Sequence, residues 1–391
     1  MGETLEQIKR GRYKDAVIGF RNHWYPAMRS RDIVEEEVKP LTILGEDVLF
    51  KRIDGQVYAI RNNCAHRGYR FSEKVECYTR NTITCPVHAF TYNFRNGELV
   101  TIPSDPESPL IGQTKVHAYP VEEVNDLVFV FIGDVAPSPL AHDVPPRFLE
   151  KNLYVVAAVN VDCDCNWRIA ADSGFDPNHV FLHKENDFLK ELQIPFPIAT
   201  RLKNSDTFGE IELIEGDGPK GMTDRLSATE PVYEHSFECD GETGRMASMF
   251  PPDGAQGQAA QAFGSIEGSL WMPGVLNVDP WPIPGMTHFE WWVPIDETTH
   301  RYFIAWGKWI DEQEEQEAFR EEVETKWIHL GYENFNRYDV LLNNGMQAFY
   351  ADPDRTYGHG QILTRNDGYT IAWHRLATKH NRGIQKRYAG K

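Results

Sequence analysis

Two short pairs of metal-ligating residues, Cys64-Ala-His66 and Cys85-Pro-Val-His88, constrain this chain more than any other feature. Strand-like sequence flanks them (Val57 to Ile60, Thr82 to Thr84, Phe90 to Phe94), so each pair sits on a turn between strands. Two thiolates and two imidazoles can close a tetrahedral zinc site. They can also hold a [2Fe-2S] cluster in which two Cys bind one iron and two His the other. The spacing Cys-x-His is tighter than that of ordinary zinc fingers, and no recognition helix follows, which counts against zinc. In the cluster reading, replacing two thiolates by imidazoles removes negative charge. That moves the potential from about −400 mV towards roughly −150 to +300 mV, a range suited to receiving electrons and passing them on.

The remaining composition narrows the class. The 391 residues suffice for two or three domains, and a 41% apolar content builds real cores. A net charge of −18 argues against nucleic acid as a partner, because phosphate binding needs a basic surface. The longest apolar run, Leu127 to Ile132, is far too short to span a bilayer, and residues 1 to 20 lack the apolar core of a signal peptide. A cytoplasmic protein without a membrane partner is expected. Six cysteines in so long a chain do not form a disulfide framework, and Cys77, Cys163, Cys165 and Cys239 read as small buried or half-buried residues.

Residues 3 to 18 read as a short amphipathic helix, followed by short strands and turns until Gly133, with hairpins at Asp54-Gly55 and Asn96-Gly97. Four prolines between 137 and 146 mark a linker. The expected division is a cluster-bearing all-β domain at 1–136, a linker at 137–150 and a second domain at 151–391. In the second domain, Tyr154 to Val161 reads as a strand, and Asn166 leads into a helical stretch reaching His183. Strands are expected again over Ser269 to Val278, Thr287 to Pro294 and Arg301 to Lys308, with a mobile loop at Gly254 to Gly264. From Glu312 to His329 the pattern is helical, with Phe319, Val323, Trp327 and Leu330 on one stripe. Antiparallel strands followed by long helices give an α+β fold class.

A second constellation is Asp176-Pro-Asn-His179-Val-Phe-Leu-His183. On a helix, residues four apart are neighbours, so the two imidazoles can share one metal. Two His and one carboxylate form the facial set of non-haem Fe(II) oxygenases, with positions left open for dioxygen. Asp339 falls on an apolar helix face with Phe335, Leu342 and Met346, where an ionised carboxylate is costly unless it is paired or metal-bound. It is the first choice for the third ligand, with Asp352 and Asp354 as rivals. Leu276 and Val278, alternating on one strand face, join Trp281 and Phe335 as candidate walls of a pocket.

The Cys-x-His-Arg-Gly and Cys-x-x-His pairs, the motif Gly174-Phe-Asp176-Pro-x-His179-x-x-x-His183, and the late Asp339 together resemble the α subunit of Rieske non-haem iron ring-hydroxylating oxygenases. The resemblance runs over almost the whole chain. It implies a Rieske domain holding a [2Fe-2S] cluster on Cys64, His66, Cys85 and His88. It also implies a helix-grip catalytic domain with an antiparallel sheet and a mononuclear Fe(II) on His179, His183 and Asp339. The implied activity is that of a terminal oxygenase inserting both atoms of O2 into a fused (hetero)aromatic such as carbazole. Electrons come from NAD(P)H through a reductase and a ferredoxin, and the α subunits form a homotrimer. Asp176 is then the bridge between one subunit's cluster and the next subunit's iron, and Gly174 joins the substrate pocket. The chain has Val87 and Ala89 where many relatives have an aromatic residue and Gly, which concerns packing around the cluster. Arg67, Arg70 and Lys74 are expected to offer a locally positive surface to the ferredoxin. Competing readings are a monooxygenase or an oxygenase of another polycyclic, a zinc-stabilised interaction protein, and a pure electron carrier; the last two lack a use for the second ligand set.

Overall fold

A computed structural model of the chain describes residues 11–176, 179–184, 186–192, 211–225, 234–247, 266–351, 362–364 and 367–386. The first part is built from three small antiparallel sheets. His23–Arg29 pairs with Leu127–Ile132, which pairs with Val121–Val124. Val38–Ile43, Glu46–Ile53, Gln56–Arg61 and Ala118–Tyr119 form the second, and Thr82–Thr84, Thr91–Asn93 and Leu99–Thr101 the third. Both expected hairpins are present. Asp54 and Gly55 take φ of 54° and 76°, the two left-handed residues that a tight turn between right-twisted strands requires. The expected helix over 3–18 is absent where it can be seen: residues from 11 onward carry one 3-10 turn, Tyr13–Asp15, while 3–10 lie outside the described residues. Tyr13 and Ala16 are buried against Trp167 and Trp373 instead of lining a free amphipathic helix.

The second part is organised by a seven-stranded antiparallel sheet. Its order is Leu153–Cys163, His300–Trp309, Met286–Pro294, Val275–Asp279, Glu267–Trp271, Gly221–Arg225 and Glu212–Ile214. All nine residues of Met286–Pro294 are buried, because the sheet is covered on both faces. Phe289, Trp291 and Val293 face the first part of the chain, together with Trp24, Tyr25 and Phe129. Leu276, Trp292, Tyr302 and Trp306 face the helices. The expected single strand over Ser269 to Val278 is a hairpin, turned at Met272-Pro273-Gly274, where proline cannot donate to a ladder and Gly274 has a φ of 149°.

The helical stretch from Asn166 is also split. Asn166 caps the helix Trp167–Gly174 by accepting from the Arg168 N–H, and the chain re-coils only as a 3-10 turn, His179–His183. Further on, Gln313–Glu322, Val323–Asn336 and Arg337–Ala351 run on as one continuous helical rod. The middle segment is wound in the wider π form. Phe319, Val323, Trp327 and Leu330 are all buried on its inner side, as the stripe implied, whereas Leu342 is exposed. Cys163 and Cys165 are buried, but Cys77 and Cys239 are exposed, against the expectation for both. The expected loop at Gly254 to Gly264 and the rival ligands Asp352 and Asp354 lie outside the described residues. Among the described residues, no helix is long and apolar enough to cross a membrane.

The proline-rich stretch 137–150 carries two 3-10 turns, and its Leu140, Val144 and Phe148 are buried in the core that joins the two parts. The C-terminal segment returns to the first part, where Arg21 N–H donates to the Gly383 carbonyl and the Gln385 amide donates to the Leu44 carbonyl. Buried Asp143 accepts from the Trp24 N–H, meets His23 Nδ1 at 2.8 Å and is ion-paired to Arg382. Burial depresses the His23 imidazole from 6.5 to about 4, with Arg382 adding to the effect, and burial does the same to His300. Both rings therefore stay neutral in the folded chain at pH values where the unfolded chain binds a proton on each. Their contribution is fully present above about pH 6.5 and is lost as the pH falls towards 4. The melting temperature of the metal-loaded protein should decline across that window, and His23→Gln should remove part of the decline. A melting temperature unchanged across it would contradict the assignment.

Candidate metal centres and cavity

The two Cys-His pairs sit on loops closed in the same way. Cys64 N–H donates to the Tyr69 carbonyl and Gly68 N–H to the Cys64 carbonyl; Cys85 N–H donates to Phe90 and Ala89 N–H to Cys85. The fifth residue of each loop is left-handed: Gly68 with φ 72° and Ala89 with φ 58°. Ala89 thus holds a conformation that costs a residue with a Cβ about 1–2 kcal/mol, in the place where the first loop uses glycine. Cys64 and Cys85 are buried, whereas His66 and His88 are exposed with their rings 4.7 Å apart. Phe90 stacks on His66, with centroids 4.7 Å apart and planes 8° from parallel. Desolvation, then His88 and Arg67, hold the His66 imidazole below its ordinary value. Burial, and then the Cys64 sulfur, raise the Cys85 thiol.

Zinc bonds of about 2.0–2.3 Å would draw four donor atoms to within about 4 Å of one another. Among the described residues, the set of three that brings its ligand atoms within 4.8 Å of one another is His179, His183 and Asp339. Two sulfurs and two imidazoles, the rings 4.7 Å apart, make up the two-Cys, two-His donor set of a two-iron cluster. Sequence reasoning missed Tyr92. Its ring is buried, and its hydroxyl lies 3.3 Å from Cys64 Sγ and accepts from the Ala65 N–H at 3.2 Å. Burial first, and then Cys64, push the phenol well above its ordinary value, so it stays protonated and donates to the sulfur.

The second ligand set forms where the 3-10 turn meets the rod. Asp339 Oδ1 lies 3.5 Å from His179 Nε2 and 3.3 Å from His183 Nε2. The main-chain carbonyl of Asp176 accepts from His179 Nδ1, which fixes the proton there and leaves the Nε2 lone pair free. His183 is fully buried, held at Nδ1 by the Asn186 amide at 2.9 Å and stacked on Phe335 with centroids 3.8 Å apart. Its Nε2 has no hydrogen-bond partner, despite the nearby carboxylate. An orphaned buried nitrogen beside a carboxylate and a second imidazole is the donor set of a metal ion.

His179 and Asp339 border a cavity of about 190 Å³, and Gly174, Leu276, Val278, Trp281 and Phe335 all line it. Gly174 has a packing reason: a Cβ there would strike the Trp292 ring. Phe335 is wedged between His183, Phe188 and Trp281. One wall is polar. Glu290 accepts from Tyr302 Oη at 2.6 Å and Asn336 Nδ2 at 3.2 Å, and meets His288 Nε2 at 2.6 Å. All four residues are buried, and burial followed by Glu290 and Asp339 raises the Tyr302 phenol well above its ordinary value. The sequence did carry a signal for this wall: His288 and Glu290 share one face of a strand that is otherwise apolar.

A cysteine-histidine cluster module joined to a two-histidine, one-carboxylate site on an aromatic cavity defines an iron-dependent oxygenase. A family model for the Rieske [2Fe-2S] domain matches residues 23–120, and one for the homotrimeric ring hydroxylases matches residues 131–385. The chain belongs to the Rieske non-haem iron ring-hydroxylating oxygenases, enzymes with one [2Fe-2S] cluster and one mononuclear iron. It is 41% identical, over 95% of its length and 94% of the relative's, to the terminal oxygenase component of carbazole 1,9a-dioxygenase from Metapseudomonas resinovorans. The solved terminal oxygenase of carbazole 1,9a-dioxygenase from Novosphingobium sp. KA1 matches with a TM-score of 0.86 and 40% identity, covering 96% of both chains. The oxygenase in its reduced complex with ferredoxin, also of carbazole 1,9a-dioxygenase, matches with a TM-score of 0.85 and 39% identity, covering 96% of this chain and 93% of that one.

Tyr92 gives this geometry a measurable consequence. Tyr92→Phe keeps the ring packed on Phe71, 5.6 Å away, and removes a donor to a sulfur of the cluster module. A donor favours the more negative, reduced cluster, so its loss should lower the midpoint potential while the visible spectrum persists. A redox titration that finds the potential unchanged would show that the hydroxyl does not reach a ligand sulfur.

Proposed function

We propose that this chain is the terminal oxygenase of a multicomponent dioxygenase acting on carbazole or a closely related fused heteroaromatic. The observation that carries the reading is the convergence of His179, His183 and Asp339 on one side of a cavity whose other walls are chiefly aromatic and aliphatic. The relatives named for carbazole 1,9a-dioxygenase supply the substrate class. Cys64, His66, Cys85 and His88 hold the cluster, and His179, His183 and Asp339 hold the mononuclear iron. When bound, the cluster supplies single electrons and the ferrous ion supplies a site at which dioxygen is activated.

The protein's own residues set the geometry. Leu276, Val278, Trp281 and Phe335 sandwich a flat ring, and Gly174 lets Trp292 pack closely beside it. The polar wall of His288, Glu290, Tyr302 and Asn336 limits how that ring can turn. Asp176 holds His179 through its carbonyl, and we assign its side chain the link to His88 of a neighbouring copy in a homotrimer. Electrons arrive from NAD(P)H through a reductase and a ferredoxin, in the cytoplasm. Of the three basic residues near the cluster, Arg70 is paired to Asp47 and Lys74 to Glu76. Exposed Arg67, next to His66 in the chain, has no ion pair among the described residues, and the second ligand loop adds exposed Val87. We assign the docking charge to Arg67.

Turnover of a panel of fused aromatics with ferredoxin and reductase, read by product mass, tests the function. Addition of two oxygen atoms to carbazole is expected, and products carrying one would favour a monooxygenase. His183→Ala should abolish turnover and remove the mononuclear iron while the cluster spectrum remains. Loss of that spectrum from a folded protein would refute the division of ligands. Arg67→Glu should slow reduction of the cluster by ferredoxin and weaken its salt dependence, leaving reduction by dithionite untouched. Unchanged stopped-flow rates at low salt would move the docking site elsewhere.

A further inference from the structure

Lys51, on the strand Glu46–Ile53, is only 1% exposed. A buried ammonium ordinarily finds a carboxylate, because an isolated charge in the interior is costly. Lys51 finds none: among the described residues no carboxylate forms a salt bridge with it. Its Nζ contacts Cys77 Sγ at 3.7 Å and lies 5.9 Å from the centre of the Phe94 ring. Cys77 is exposed, in the loop between the two Cys-His pairs. It opens onto a surface cavity of about 400 Å³ that Glu36, Lys51, Val75, Tyr78 and Arg80 also line. Arg80 is taken up by Asp54, and Lys51 is the cation in direct contact with the thiol.

The other cysteines differ in each respect. Cys64 and Cys85 are assigned to the cluster. Cys163 and Cys165 are buried, and burial pushes both thiols up, that of Cys165 to about 12. Cys239, on the hairpin strand Glu234–Cys239, is exposed and makes no hydrogen bond to a cationic side chain among the described residues.

We propose that Cys77 is a modification site, its sulfur held against the buried Lys51 side chain, and that hydrogen peroxide oxidises it to a sulfenic acid ahead of every other cysteine. The thiolate sulfur attacks one peroxide oxygen, forming the S–O bond and breaking O–O. The departing hydroxide takes up the proton that the thiol gave away and leaves as water, so one thiol and one peroxide give one sulfenic acid and one water. The sulfur loses two electrons and the peroxide gains them. The new oxygen lies within reach of the Lys51 ammonium, which donates to it.

The test uses the metal-loaded enzyme, with iodoacetamide at limiting dose as a probe of thiolate character and Cys239 as the internal reference. Peptide mass mapping should show Cys77 alkylated several-fold faster than Cys239. Lys51→Met keeps the apolar stem and removes the charge. It should bring Cys77 down to the Cys239 rate while leaving Cys239 unchanged. Hydrogen peroxide with a dimedone trap should place the adduct on Cys77. Equal rates at the two cysteines, or a Cys77 rate undiminished in a folded Lys51→Met protein, would each overturn the proposal.

Discussion

Burial of the central sheet on both faces is the constraint on which the rest of this protein depends. Along Met286–Pro294 the side chains alternate, with Phe289, Trp291 and Val293 turned to the cluster-bearing part and His288, Glu290 and Trp292 turned to the cavity. One strand therefore serves two cores at once. The aromatic face fuses the two parts of the chain through Trp24, Phe129 and Phe148, and the return of the C-terminal segment to Arg21 and Leu44 reinforces the join. The catalytic part is thus packed directly onto the cluster module, which suits an enzyme that must hold an electron-receiving edge and an oxygen-activating site in fixed relation.

The mononuclear site is assembled across a long separation in sequence, and one aromatic ring does much of the alignment. Phe335 stacks on His183 and is itself held by Phe188 and Trp281, so the rod and the 3-10 turn can meet in only a narrow range of rotations. Its neighbour Asn336 ties the same rod to Glu290 on the sheet. The π winding over Val323–Asn336 ends immediately before Arg337, one turn ahead of Asp339. Wider winding changes the angular position of every later residue, so it helps decide which face of the rod presents Asp339 to the two imidazoles. Gly331 belongs to this adjustment, since a Cβ there would press on the Trp306 ring.

The sequence made these features legible to different degrees. The ligand pairs, the two left-handed hairpin turns and the stripe from Phe319 to Leu330 could be read because each follows from local chemistry or from a regular period. Regular periods also misled. An assumption of 3.6 residues per turn extended one helix through His183, where the chain leaves the helix after Gly174 and winds as 3-10, and it placed Leu342 inside, where the structure exposes it. Ser269 to Val278 looked like one strand because its hydrophobicity is continuous, and only the proline and glycine at 273 and 274 betrayed the hairpin. The polar wall was harder still: Glu290 is tolerable in the core only because Tyr302 and Asn336, supplied by another strand and by the rod, converge on it.

The two metal centres also solve opposite problems of solvation. In the cluster loops the Cys64 and Cys85 sulfurs lie inside, Cys64 beside the Tyr92 hydroxyl, while the two imidazoles face water. Charge is stabilised at the buried end, and electron exchange is left to the exposed one. In the catalytic site the order is reversed: His183 is completely enclosed, with Asp339 and His179 opening onto a cavity walled by Phe335, Trp281 and Leu276. In the proposed assignment, the enclosed set keeps bulk water from the iron, and the exposed imidazole edge lets electrons enter without opening that site. The left-handed Ala89 fits this division, because the second loop keeps its tight closure, with His88 pointing outward, even though a Cβ makes that conformation costly.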